Sequence, residues 1–293
     1  MSMESRIEFP GGEMVFSEKE EAAALVRVSG NPTSLEVPET LESGAKVTSV
    51  SKKAFLGRKS LKKLILPNTV TLLGDWCFAG CENLKEVSLP ASEAGEGIFR
   101  GCVSLERINV SGAERSVCEL LAGAVRNAAP NHLTDLRSLS DNWLAKWDAW
   151  ALKIIGEPDD EGFTNQILCG EEDYGSSDRG AYESGRRVLK ASLCILRLLN
   201  DDGLSGGTRQ IFTDYLYRHR AGSEEGDESW KALKEVYPDR KHFDLLESLG
   251  CITDENRDLM IRDLGEEKPE LKSLLMKTAG NDAMDNFFKG LEL

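Results

Sequence analysis

Histidine is scarce in this chain, three in 293 residues, and His132, His219 and His242 each stand without a Cys, Ser or metal-ligand partner at a useful spacing. A zinc centre needs several convergent ligands and a nucleophilic enzyme needs a positioned base, so the common histidine chemistries have little to work with. The glycines of GLSGGTRQ lack the G-x-x-x-x-G-K-[ST] arrangement of a phosphate loop, and no D-x-D-x-D-G calcium spacing occurs. No cofactor and no catalysis are expected. No apolar run approaches the roughly 18 residues of a membrane span. The first residues, MSMESRIEFPGGEM, lack the basic start and apolar stretch of a secretory leader. Seven cysteines, an odd number without paired spacing, suit a reducing compartment better than a disulfide framework. A cytoplasmic location is the expectation.

Positive charge is also in short supply. The net charge is −14, and it is uneven: residues 1–111 hold 15 acids and 13 bases, residues 112–293 hold 35 and 23. Phosphate binding needs clustered cations, so nucleic acid and anionic membrane are disfavoured as partners. One local exception is Lys52, Lys53, Arg58, Lys59, Lys62 and Lys63, six bases within twelve residues and no acid among them. They read either as a docking patch for a partner or as an ordinary solvated face.

What the chain does have is a repeat. Phe55, Phe78 and Phe99 lie 23 and then 21 residues apart, and the triplets Leu61/Leu64/Leu66, Leu84/Val87/Leu89 and Leu105/Ile108/Val110 keep the same steps. The spacing L-x-x-L-x-L points three side chains one way along a short extended segment, as in the wall of a solenoid. The stretches VTSVSKKAFLGRKSLKKLILP (47–67), VTLLGDWCFAGCENLKEVSLP (70–90) and GEGIFRGCVSLERINV (95–110) resemble the units of BspA-like leucine-rich repeats over residues 35–110. Arg58 and Lys59 depart from the pattern where later units have Gly80-Cys81 and Gly101-Cys102, and the third unit's first half has decayed to SEAGEG. Cys81 and Cys102 return at one place in consecutive coils and are expected in the core as small apolar residues. The resemblance implies a protein-binding solenoid. Since relatives with this repeat are often bacterial surface proteins, it also permits an exported adhesin or glycan binder.

Before the repeats, the alternation around Val15, Phe16, Leu25, Val26 and Val28 predicts a β-hairpin that caps the open solenoid end, so residues 1–36 are assigned to a β cap and 37–111 to repeats. After Val110 the period becomes helical. RSVCELLAGAVRN should cover the last coil, and Trp143, Trp147 and Trp150 form one helical stripe, either a binding platform or, as is commoner, a core seam. The acidic stretch 156–185 reads as a long loop. It offers Phe163 and Tyr174 as partner contacts and two acid clusters, Asp159–Glu161 and Glu171–Asp173, as a cation option. From Arg186 helices run onward, with Gly203 as a C-cap, Thr253 as an N-cap and Pro269 at N1. The doublets Leu245-Leu246 and Leu274-Leu275 are similar to decayed ankyrin-like helix pairs, without the T-P-L-H element. The fold class is α+β: a short leucine-rich-repeat β-solenoid with an N-terminal cap, followed by a helical domain over residues 112–293. The expected function is a non-catalytic scaffold whose partner is another protein.

Overall fold

The computed structural model describes residues 3–127, 130, 133, 134, 136, 139, 142–163 and 178–278. It divides into two compact units, Met1–Trp150 and Ala151–Leu293.

The first unit begins with strands β1 (Met3–Phe9), β2 (Gly12–Lys19) and β3 (Ala22–Val28), an antiparallel meander where the alternation suggested a hairpin. Val26 is the exception to its pattern. The β2–β3 register skips it, Val15 pairing with Arg27 and Phe16 with Leu25, so Val26 bulges outward while Leu25 and Val28 are buried. From β3 the sheet continues in parallel through β5 (Lys46–Val50), β7 (Leu72–Leu73) and β9 (Glu93–Ala94). The decayed SEAGEG half therefore still supplies a strand. A second, all-parallel sheet contains β4 (Ser34–Glu36), β6 (Lys63–Ile65), β8 (Glu86–Leu89) and β10 (Arg107–Val110).

Each coil contributes one strand to each sheet, so β3/β4, β5/β6, β7/β8 and β9/β10 make four coils, one more than the repeat count suggested. Residues 34–36, assigned to the cap from sequence, belong to the repeat sheet. The clue was Leu35-Glu36-Val37-Pro38, which carries the same apolar-x-apolar-Pro ending as Leu64–Pro67 and Val87–Pro90.

The inward residues pack as the spacing demands. Leu61, Leu64, Leu84, Val87 and Leu105 are fully buried. Phe55, Phe78 and Phe99 form a column with ring centroids 5.4 Å and 5.5 Å apart. Beside it the backbone turns through Gly57, Gly80 and Gly101, whose φ values of 67°, 71° and 78° favour glycine. A Cβ on Gly80 would meet the Cα of Gly57 at 3.4 Å, and one on Gly101 would meet that of Gly80 at 3.6 Å. This stack corrects the repeat alignment: Gly57 matches Gly80, Arg58 matches Cys81 and Lys59 matches Glu82.

The amides beside the phenylalanine column donate to the next coil. The N–H groups of Lys53, Phe55 and Gly57 donate to the carbonyls of Asp75, Cys77 and Ala79 at 3.0, 2.8 and 2.8 Å. Those of Trp76, Phe78 and Gly80 donate to Glu96, Ile98 and Arg100 at 2.8, 3.1 and 2.8 Å. The thiols of Cys81 and Cys102 donate back to the carbonyls of Phe55 and Phe78 at 3.2 and 3.3 Å.

Helix α1 (Arg115–Arg126) packs its apolar face, including Leu120, Leu121 and Ala124, on β10. The Val110 N–H donates to Cys118 Sγ at 3.4 Å. Trp143 and Trp147 of α2 (Trp143–Gly156) are buried, and their indole N–H groups donate to the carbonyls of Leu133 and Leu120, each at 3.1 Å. Trp150 lies edge-on to Trp147 at 5.7 Å. The strand-to-helix change thus precedes the division between units, which falls inside α2.

In the second unit α3 (Arg179–Leu199) is the central element, contacted by α4 (Gly206–Arg218), α5 (Glu228–Glu235) and α6 (Arg240–Ser248). Then follow α7 (Asp254–Leu264) and α8 (Pro269–Thr278). Residues 190–198 of α3 are buried all round, as a helix enclosed by others must be. The helices gather around α3 instead of stacking as successive pairs. Gly203 is not the C-cap of α3. That helix ends at Asn200, and the buried Arg197 guanidinium donates to the carbonyls of Asn200 and Asp202, a cation on the helix's negative end.

Candidate binding surface

Side chains that alternate with the buried ladder of the β4–β6–β8–β10 sheet point outward: Glu36, Lys63, Ile65, Glu86, Ser88, Arg107 and Asn109. They line up in rows because successive coils are in register, Lys63 beside Glu86 and Glu86 beside Arg107. Glu86 bridges its two neighbours, 3.4 Å from Lys63 and 3.2 Å from Arg107. Lys85 and Glu106 make a second cross-coil pair at 2.7 Å. No aromatic stands among these outward strand residues, and stacked aromatics would be the physical signature of a glycan face.

The six bases of the first basic stretch divide between this sheet and the phenylalanine turn. Lys52 lies 3.5 Å from Asp75, Lys59 lies 2.9 Å from Glu82, and Lys63 lies 3.4 Å from Glu86. In each pair the acid stands 23 residues on, one coil later. Lys52 and Lys53 also sit over the Trp76 ring, 5.4 and 4.9 Å from its centroid. Arg58 takes the place filled by cysteine in later coils and donates to the Gly30 carbonyl at 3.2 Å. Lys62 is exposed, with no ion-pair partner among the described residues. Exposed pairs of this kind contribute about 0–1 kcal/mol each, so they set a charge pattern more than they hold the fold.

Glu86 and Arg107 are outward strand positions by the repeat spacing, but neither they nor Trp76 are among the partner contacts the sequence offers. Their signal was the repeat offset itself: aligning units by 23 and 21 residues places Lys63, Glu86 and Arg107 at one position, and Lys53, Trp76 and Gly97 at another. The latter three share a left-handed backbone, with φ of 61°, 55° and 57°.

Of the candidates in the second unit, Tyr174 lies outside the described residues. The Phe163 ring packs on Tyr182 at 5.3 Å, and the Tyr182 hydroxyl donates to the Glu161 carbonyl at 2.6 Å. The first acid cluster is held against α3: Asp160 pairs with Arg179 at 2.6 Å, Glu157 with Arg186 at 2.9 Å, and Asp159 with Lys190 and Arg187 at 2.6 and 3.3 Å. Burial pushes the Asp159 carboxyl up, but the two cations outweigh it and hold it below the usual carboxylate range. Arg187 also meets the buried Glu228 at 2.9 Å. The second acid cluster lies outside the described residues. Among the described residues no group of three His, Cys, Asp or Glu side chains comes together to hold a metal.

The cysteines sit in the wall and the helical core. Six described thiols are free and buried. Burial pushes Cys81 up to about 11 and Cys102 up to about 12, and holds Cys77 well above the ordinary thiol value. Such thiols are protonated at neutral pH and poor nucleophiles. His219 and His242 are both bonded into helix ends, the first to the Tyr215 carbonyl at 2.9 Å and the second to Asp239 at 2.6 Å. His132 lies outside the described residues. No helix among the described residues is long and apolar enough to cross a membrane.

Comparison with known proteins agrees with the coil pattern. A model of the BspA type leucine rich repeat region, six copies, matches residues 33–120. No curated protein matches the sequence. Among solved structures, a leucine-rich repeat protein of T. pallidum is similar at 25% identity and a TM-score of 0.27, covering 32% of this chain and 46% of that one. A leucine-rich cell surface protein from Faecalibacterium prausnitzii is similar at 21% identity and 0.30, covering 36% and 32%. A leucine-rich repeat protein from Bacteroides capillosus is similar at 22% and 0.28, covering 37% and 99%. The matched stretch spans less than half the length of the first two. With the parallel coils, the phenylalanine column and the glycine stack already described, residues 33–120 of this chain are a BspA-type leucine-rich repeat region.

Proposed function

We propose that this chain is a non-catalytic scaffold that binds another protein through the outward face of the β4–β6–β8–β10 sheet, with the bases of the β5/β6 coil contributing. The observation that carries this reading is the register of the charged rows. Lys63, Glu86 and Arg107 alternate in sign across adjacent coils at fixed spacing, and a pattern of mixed signs selects a protein surface of matching pattern. A nucleic acid would require a face of one sign. The free, buried thiols fit a reducing compartment, in keeping with a cytoplasmic scaffold.

The test is affinity capture from host lysate with the intact chain and with the triple variant Lys59→Glu, Lys62→Glu, Lys63→Glu, followed by titration of the identified protein against both in purified form. All three side chains are solvent-facing, so the variant should fold. A partner that binds the natural chain at least about tenfold more tightly than the variant supports the reading, a difference of about 1.4 kcal/mol. Equal affinity for both would remove the bases of the β5/β6 coil from recognition. Turnover of a small molecule by the purified chain would overturn the non-catalytic assignment.

A further inference from the structure

The coil ladder has an unfinished end. In the first two full turns, the amides of Phe55 and Gly57, then Phe78 and Gly80, donate to carbonyls of the next coil. The corresponding donors of the last coil are the amides of Phe99 and Gly101, and they have no hydrogen-bond partner among the described residues. Both residues line a groove of about 460 Å³ beside the C-terminal end of α1. An amide without a partner favours any acceptor that can reach it, so the groove presents the same two donors that each earlier coil uses to hold its successor.

Charge at this end differs from that of the preceding coils. At one coil boundary acids stand over bases, Lys52 with Asp75 and Lys59 with Glu82, and the residues aligned with Arg100 are the uncharged Leu56 and Ala79. Arg100, in the same turn of the last coil, is exposed and makes no side-chain ion pair or hydrogen bond among the described residues. Arg126, at the end of α1, and Glu96 also line the groove. Its apolar wall comes from Trp76 and from Val103, which is 66% exposed.

We infer that this groove takes an extended acidic segment of a partner protein, which adds one more turn to the ladder. Two carbonyls of the segment, two residues apart, accept from the Phe99 and Gly101 amides as Ile98 and Arg100 accept from Phe78 and Gly80. The residue between those carbonyls lies over the Phe99 ring. A carboxylate at the position above Arg100 pairs with that exposed guanidinium. The site is separate from the sheet face proposed above, and its occupant need not be the protein that binds there.

The probe is the tetrapeptide acetyl-Val-Phe-Glu-Gly-amide, with acetyl-Val-Phe-Lys-Gly-amide as control, titrated into the isotope-labelled full chain. The readout is the pair of amide resonances of Phe99 and Gly101, neither of which lies on the sheet face. Saturable shifts of both with the glutamate peptide, at least about tenfold tighter than with the lysine peptide, are expected. The order of preference should reverse in Arg100→Glu, an exposed substitution that leaves the fold intact. The inference is overturned by no saturable shift, by equal response to the two peptides in both proteins, or by shifts of these amides on dilution alone, which would identify a second copy as the occupant. None of these results bears on whether the sheet face binds a protein.

Discussion

Replacing Phe78 by alanine removes the middle rung of the aromatic column. The side chain is fully buried, and its ring touches two others, at 5.4 and 5.5 Å, whereas Phe55 touches one. Truncating a buried phenylalanine costs about 3–5 kcal/mol through lost burial and the cavity left behind. Each ring pair adds about 0.5–1.5 kcal/mol beyond area. Phe78→Ala should therefore destabilise the first unit by about 3–5 kcal/mol, and by roughly 0.5–1.5 kcal/mol more than Phe55→Ala. Urea unfolding is followed by circular dichroism and by tryptophan fluorescence, four of whose five sources, Trp76, Trp143, Trp147 and Trp150, lie in the first unit. If Phe78→Ala is too unstable to measure against a total of about 5–15 kcal/mol, Phe78→Leu and Phe55→Leu carry the same comparison. A loss below about 1.5 kcal/mol for Phe78→Ala, or equal losses at the two positions, would refute the view that the column is a cooperative spine.

Further outcomes follow from other parts of the structure. Iodoacetamide at pH 8 should leave Cys77, Cys81, Cys102, Cys118, Cys194 and Cys251 unmodified in the folded chain and label them in urea; peptide mass spectrometry reads this, and native labelling of Cys81 or Cys102 would contradict their burial. Asp159→Asn leaves the nearly inaccessible Lys190 ammonium without its carboxylate, an expected cost of about 3–5 kcal/mol to the second unit at pH 7. Because the folded pKa of Asp159 is depressed, its contribution is complete above the ordinary carboxylate value and lost as pH falls through the folded one. The natural and variant chains should then converge in stability at acid pH, and a pH-independent gap would argue against the pairing. Lys59→Glu should change stability by less than about 1 kcal/mol despite breaking a 2.9 Å pair, since that pair is exposed. Lys53→Gly relieves a left-handed lysine, which costs about 1 kcal/mol, and should raise the melting temperature unless the contact with Trp76 outweighs it; a marked fall would show that it does.

Legibility in the sequence followed how regular the underlying physics was. The leucine triplets and phenylalanines announced the wall because every coil solves the same packing problem with the same residue types. The first coil escaped notice because its ladder ends at Leu35-Glu36-Val37-Pro38 while its other strand, β3, is shared with an antiparallel meander and follows no repeat rule. SEAGEG escaped for the opposite reason. Backbone pairing with β7 needs little from side chains, so β9 survives with a glutamate and an alanine. Gly203 was a sound helix-stop signal, but the helix ends earlier, where Arg197 in its last turn reaches the carbonyls of Asn200 and Asp202, and an arginine in an apolar helical stretch is a weaker stop signal than a glycine. The surface was the least legible part. Six bases in twelve residues looked like one patch until the coil register sent some toward the turn and others toward the sheet, with Lys52, Lys59 and Lys63 each pairing with an acid one coil away.

The donation from each coil to the next beside the phenylalanine column has an electrical consequence. Peptide groups whose N–H vectors all point along the coil axis add as small dipoles, much as they do in a helix. The column therefore carries partial negative charge toward the N-terminal meander and partial positive charge at the α1 end. That polarity is a property of the backbone, and reversing surface charges would not abolish it. Inserting another coil of the same kind would lengthen the column and move its positive end outward, carrying the last pair of donors with it.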